Sequence, residues 1–240
     1  MMYYRVGLTF LAILLVSTIA WAFPTGTIWI PNDSTLAPQS FRLDNQLYFT
    51  LDKRPSDAST QAPFIDEGIT YGLFKNESVA SEVGLDWWEP EPQENLKSLH
   101  AHFKIVTLES TSMPSLAFGI YDFGFRSNSS DENILFIGFG KSFHIIDHFF
   151  FGFFSGNPNI LVDDSGNPAS RGFMVGLQKN MTKKFLLLFD FQSSNSLVGA
   201  ASLGTSWLIH DDVSLLVGYN SYINRKLQRD TLTVQVSLGL

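Results

Sequence analysis

The sequence predicts an all-β fold, an antiparallel up-and-down transmembrane β-barrel of about twelve strands, and three observations lead there. Only 16% of the 240 residues are charged, against roughly 25% in soluble domains. Apolar side chains recur at every second position from Ser40 to the last residue, which is the strand period. Short and long connections alternate along the same stretch, the pattern of strands that cross a bilayer back and forth. The composition removes other classes. With 16 Lys and Arg against 23 Asp and Glu, the net charge of −7 leaves no basic footprint for nucleic acid. The absence of cysteine excludes disulfide scaffolds, Cys-ligated zinc and thiol catalysis.

At the amino end, Arg5 precedes an apolar run from Val6 to Ile19, and Ala20-Trp21-Ala22 supplies the small-x-small pattern of a signal-peptidase site. Residues 1–22 read as a cleaved signal peptide. An uncleaved anchor is the alternative, because the run reaches the short limit for spanning a bilayer. Residues 23–39, with Thr25-Gly26-Thr27-Ile28-Trp29-Ile30, read as a plug strand or periplasmic tail.

The barrel domain then covers 40–240. In its first strand, Phe41, Leu43, Leu47 and Phe49 alternate with Arg42, Asp44, Gln46 and Tyr48. The same period places strands at 40–51, 67–74, 79–88, 96–107, 115–125 and 133–143. Six more follow at 148–154, 170–179, 183–192, 197–209, 213–223 and 231–240. Most approach the roughly 9–11 residues that a tilted strand needs to cross a bilayer. Short links at 75–78, 144–147, 180–182 and 210–212 carry Asn, Asp or Thr, which turn the chain by bonding their own backbone. Between them fall 52–66, 89–95, 126–132, 155–169 and 224–230, rich in Pro, Ser, Asp, Glu and Asn, with 193–196 as a short member and 108–114 as a long tight-side turn. An even strand count puts both barrel ends on the tight-turn side.

A soluble sandwich or lipocalin-like barrel also alternates apolar and polar residues. Its outer face needs charge, and the polar positions here hold mostly Gly, Ser, Thr, Asn and Gln. The greasy positions, odd-numbered in most strands and even-numbered in the last, therefore read as the lipid face. Aromatic residues such as Trp87, Trp88, Phe123, Phe125, Trp207 and Tyr222 lie toward strand ends, as interfacial girdles do.

With these features together, the chain resembles bacterial outer-membrane β-barrel proteins as a class. The resemblance rests on the export signal, the alternating strands, tight turns opposite long loops, and a final strand ending Leu238-Gly239-Leu240. That class commonly ends in an aromatic residue, so the terminal Leu240 is an apolar variant. The resemblance covers about residues 40–240 and points to no named family. It implies residence in the bacterial outer membrane, with the bilayer and outer-membrane lipids as partners.

Polar faces would then line a lumen, and its charges are the candidate functional residues: Arg42, Asp44, Glu82, Asp86, His100, His102, Lys104, Asp122, Lys184 and Asp190. Antiparallel pairing about Pro92 sets Glu82 opposite His102 and Gly84 opposite His100, a mixed acid and histidine cluster. It reads either as a selectivity element of a passive pore for small polar solutes, or as an internal salt-bridge network in a plugged structural or adhesive barrel. Glu82 with the two histidines is a weak metal pattern, and no metal, cofactor or catalytic residue is assigned. Ser98 and His100 have the two-residue spacing of an outer-membrane phospholipase pair, but in the reverse order and facing inward, so hydrolysis is the lesser alternative. Asp163-Asp164-Ser165-Gly166-Asn167 lacks the register of a calcium loop and reads as an outer loop, while His144, His148 and His210 read as water-facing turn residues. The strand glycines 138, 140, 152, 176, 204 and 218 read as relief of crowding at bends.

Overall fold

The computed structural model describes residues 26–51, 64–89, 98–125 and 131–240. The predicted signal peptide therefore lies outside the described residues. Within them run twelve strands: β1 (Phe41–Thr50), β2 (Phe64–Lys75), β3 (Val79–Glu89), β4 (Ser98–Thr107), β5 (Ser115–Gly124), β6 (Ile134–Lys141), β7 (His148–Ser155), β8 (Arg171–Asn180), β9 (Phe185–Gln192), β10 (Ala200–His210), β11 (Val213–Tyr222) and β12 (Thr231–Gly239). Each pairs antiparallel with its sequence neighbours, and β1 pairs with β12 from Arg42↔Gly239 to Thr50↔Thr231, closing the barrel. Closure leaves no sheet edge, the condition for a sheet in hydrocarbon.

The two faces are inverted relative to a water-soluble protein. Glu82, Asp86, Lys104 and Asp190 are fully buried, whereas Phe118, Ile137, Phe153 and Leu203 are each more than half exposed. The charged side chains point into the barrel and the large apolar ones point out. Even-numbered residues face inward in most strands, and odd-numbered ones do so in β12, as the alternation predicts. In β5 the phase also starts odd, with Ser115, Ala117 and Tyr121 inward. A bulge then brings Asp122 inward as well, because the register against β4 slips between Ala101 and Phe103 and Asp122 adopts a φ of 49°.

Two predicted details change. β2 begins at Phe64 rather than residue 67, which turns Asp66 into a lumen residue. The β3–β4 register is two residues off the predicted one: Glu82 faces Lys104, Gly84 faces His102 and Asp86 faces His100. The hairpin is centred one residue later than Pro92, and a shift of two preserves every side chain's face while changing its partner.

The amino-terminal segment enters the closed ring. Residues 26–31 form a small hairpin, with a Gly26↔Pro31 bridge and the Thr27 N–H donating to the Ile30 carbonyl at 3.0 Å. Its Ile28 and Ile30 are buried. Ile30 joins an apolar cluster with Ile134, Phe136, Phe150, Phe154, Leu161 and Met174, so part of the barrel's interior is packed as a protein core. Glycines make this possible. A side chain at Gly138 would collide with Phe150, and one at Gly204 or Gly218 with Ile28. The strand glycines thus clear space for inserted side chains rather than serving only the bends of the sheet.

Candidate functional site: the charged lumen

Strands β1 to β4 supply most of the charge. The Arg42 Nε donates to Asp44 Oδ2 at 2.6 Å along β1. Across the β3–β4 pair, Lys104 Nζ lies 3.2 Å from Glu82 Oε1, both side chains fully buried, and the other Glu82 oxygen accepts the Leu36 N–H at 2.9 Å. His102 Nδ1 and Asp86 Oδ2 are 2.7 Å apart, while His102 Nε2 lies 3.3 Å from the Thr70 hydroxyl on β2. Alternation aims these side chains at one space, and the revised register decides which carboxylate meets which cation. Removed from water, each charge depends on its partner.

Asp190 on β9 has a different task. Its Oδ2 accepts three hydrogen bonds from the hairpin: from the Thr27 hydroxyl at 2.6 Å, the Ile28 N–H at 2.7 Å and the Trp29 N–H at 2.9 Å. The carboxylate caps a turn whose amides point toward it. Gln235 Nε2 donates to the Ile28 carbonyl at 3.0 Å, and Trp29 Nε1 to the Val198 carbonyl at 2.8 Å. Closer to the tight turns, Asp33 accepts from the Ser115 hydroxyl and lies 2.6 Å from His148 Nε2.

The hairpin divides the space. Toward the tight turns lies a cavity of about 260 Å³, lined by Arg42, Asp44, Gln46, Gln178, Ser206, Ser214, Gln235 and Ser237. Toward the long loops lies one of about 30 Å³, lined by Asp66, His100, Asp122 and Glu132 together with Trp29, Tyr48, Trp88 and Tyr121. Ile28 lines both.

Of the ten residues singled out by sequence, nine face this interior. Lys184 does not: it is exposed in the turn before β9, where pairing starts at Phe185 rather than 183, and its carbonyl accepts the Leu208 N–H. Sequence reasoning missed Asp33, Asp66, Glu132 and His148. Extending the alternation Thr70, Gly68 backward by one step would have found Asp66. His148 was read as a water-facing turn residue, and its role is visible only once Asp33 is placed beside it. The lesser chemical readings gain nothing from the geometry. Among the described residues no group of three His, Asp or Glu is placed to hold a metal ion. The Asp163 carboxylate is taken by the N–H groups of Ser165 and Asn167, both at 2.8 Å, so the loop satisfies itself. His100 faces Glu132, with Nε2 3.4 Å from Oε2, and the side chain of Ser98 lies outside the described residues.

No protein-family model and no curated protein sequence matches the chain. Solved structures do. The KdgM porin superposes with a TM-score of 0.54 over 83% of this chain and 98% of its own, at 6% identity. The NanC porin superposes with a TM-score of 0.51 over 82% of this chain and all of its own, at 10% identity. Identity this low carries the architecture and leaves the lining residues to be judged on their own chemistry. The chain has the closed twelve-stranded β-barrel fold of the porins.

Proposed function

We propose that the protein is a passive pore of the bacterial outer membrane for small polar solutes, narrowed at mid-height by its own 26–31 hairpin and preferring cations. The observation that carries this reading is the sign of the lumen charge. Asp44, Asp66, Glu82, Asp86, Asp122 and Asp190 are buried inside, where Arg42 on β1 and Lys104 on β4 pair with Asp44 and Glu82. A wall with excess fixed negative charge, facing low-dielectric surroundings, raises the local concentration of cations and repels anions. The apolar exterior supports insertion in a lipid bilayer, and the export signal read from residues 1–22 supports delivery to it. The fold shared with the porins is consistent with diffusion.

One observation favours a second reading, a structural barrel sealed by the hairpin: Ile30 and Trp29 pack into the apolar cluster instead of lying loose in the lumen. Planar-bilayer recording separates the two. The pore reading expects discrete current steps, a reversal potential in a KCl gradient that reports cation preference, and larger steps when residues 26–31 are deleted. Silence from both the full chain and the folded deletion variant would leave the sealed barrel.

A further inference from the structure

The acids of the lumen fall into two groups by their partners. Asp44, Glu82, Asp86 and Asp190 each hold a cation, an imidazole or several N–H donors. Around the smaller cavity the situation differs. Asp66 is 1% exposed and Asp122 6%, and Oδ1 of each has no hydrogen-bond partner among the described residues; Asp86 and Asp190 also leave Oδ1 open but are engaged through Oδ2. His100, 3% exposed and on the same cavity wall, has an Nδ1 without a partner. Buried polar atoms are normally satisfied, so the open atoms of Asp66, Asp122, Glu132, His100 and Trp88, all residues that line this one small space, point to something that completes them. The bulge at Asp122, with a φ of 49°, is what turns this carboxylate inward beside Tyr121.

The lining specifies the chemistry. Three carboxylates surround the cavity, and no Lys or Arg is among its lining residues. Aromatic rings share the lining with the acids: Trp88 is 5.5 Å from the His100 ring, and Trp29 is 6.0 Å from Tyr48. Among the described residues no three acids or histidines are placed to hold a metal ion together, so these carboxylates do not form a divalent-cation site. Carboxylates interleaved with aromatic rings suit a nitrogen cation, which pairs with the first and is attracted by the second. The volume of about 30 Å³ admits one or two water-sized groups, the size of a primary ammonium head and too small for a quaternary one.

We propose that this cavity is a saturable site for a primary ammonium group, held by Asp66, Asp122 and Glu132 beside Trp29 and Trp88. Occupancy does not require conduction, so the site stands or falls separately from the pore reading. The test uses the full barrel folded in detergent, with methylammonium chloride titrated at constant ionic strength and tryptophan fluorescence as the signal, since two of the five tryptophans line the site. The proposal expects a saturable change, at least tenfold weaker with tetramethylammonium or sodium. It also expects at least a tenfold loss of affinity in Asp66→Asn and in Asp122→Asn, with circular dichroism confirming the fold. Should either strand variant fail to fold, Glu132→Gln, which lies before β6, is expected to weaken binding without touching a strand. A response that does not saturate, equal affinity for sodium, or unchanged affinity in the folded variants would overturn it.

Discussion

The inner wall made by β1 to β4 and the wall made by β6 to β8 face each other across the same lumen and are built on opposite principles. The first carries Arg42 with Asp44, Glu82 with Lys104 and Asp86 with His102, each pair joined by a short polar contact, and Asp66 and His100 beside them. The second carries Ile134, Phe136, Phe150, Phe154 and Met174, joined by packing. Outside, both walls present the same apolar surface. The difference shows that a narrow barrel can divide its interior, using one side as a core on which to seat an inserted segment and keeping the other polar and charged. Ile30 is held by the packed wall, while the Leu36 N–H reaches the charged one through Glu82. The segment between them therefore crosses from one wall to the other.

The sharpest way to break the contrast is to remove its largest apolar piece. Phe150 fits over Gly138 and Gly152, which have no side chains to refill the space. Phe150→Ala should therefore reach the upper end of the usual range, a loss of about 5 kcal/mol in urea unfolding from lipid vesicles. On the opposite wall, Lys104→Met strands the buried Glu82 carboxylate and should cost about 3–4 kcal/mol. Adding Glu82→Gln to it should restore most of that loss, because the penalty lies in the unpaired charge. If the double variant is no better than the single one, the wall depends on the attraction itself rather than on avoiding an orphan.

The sequence makes the outer face legible and the inner one only in part, for a physical reason. Lipid imposes one rule on every strand, so the alternation of Phe41, Leu43 and Leu47 or of Leu232, Val234 and Val236 reveals strand, face and closure. Inside, water and protein both satisfy the chain. The run Phe149 to Phe154 is apolar on both faces, and nothing local says that Phe150 meets a hairpin more than a hundred residues earlier. Likewise the approach of Thr27 to Asp190 spans 163 positions and has no periodic signature. The partner of Glu82 depended on a two-residue choice of register that the β3–β4 connection alone does not fix. Strand ends mattered as much: three residues at the start of β2 separate a loop Asp66 from a lumen one, and two at the start of β9 move Lys184 out of the lumen.

Asp190 tests the seat from the polar side. Asp190→Asn keeps the shape but removes the charge that three hairpin donors share, and charge-assisted bonds contribute about 1.5–3 kcal/mol. A loss of about 2 kcal/mol in hairpin docking is expected, read as faster protease cleavage within 26–39 in the folded barrel. Cleavage at the parent rate would mean that Ile30 packing alone holds the segment.

The smallest effect concerns how the two walls are tied together at the tight-turn end. Glu109, in the turn after β4, lies 3.0 Å from Lys141 Nζ at the end of β6, and accepts from the Ser142 hydroxyl at 2.7 Å and its N–H at 3.0 Å. Slight desolvation raises the Glu109 pKa, but these donors outweigh it and draw it from the ordinary 4.5 down to about 2. A depressed folded pKa gives stability that is present above the unfolded value and lost as pH falls through the folded one. The contribution should therefore be full above about pH 4.5 and fade between there and about pH 2. Because the pair lies at the rim with about a quarter of each side chain exposed, solvent screening holds it below about 1 kcal/mol. Urea midpoints of the parent and Glu109→Gln should differ at pH 6, converge near pH 2, and draw together in high salt. A difference that survives at pH 2 would assign the tie to hydrogen-bond geometry rather than charge.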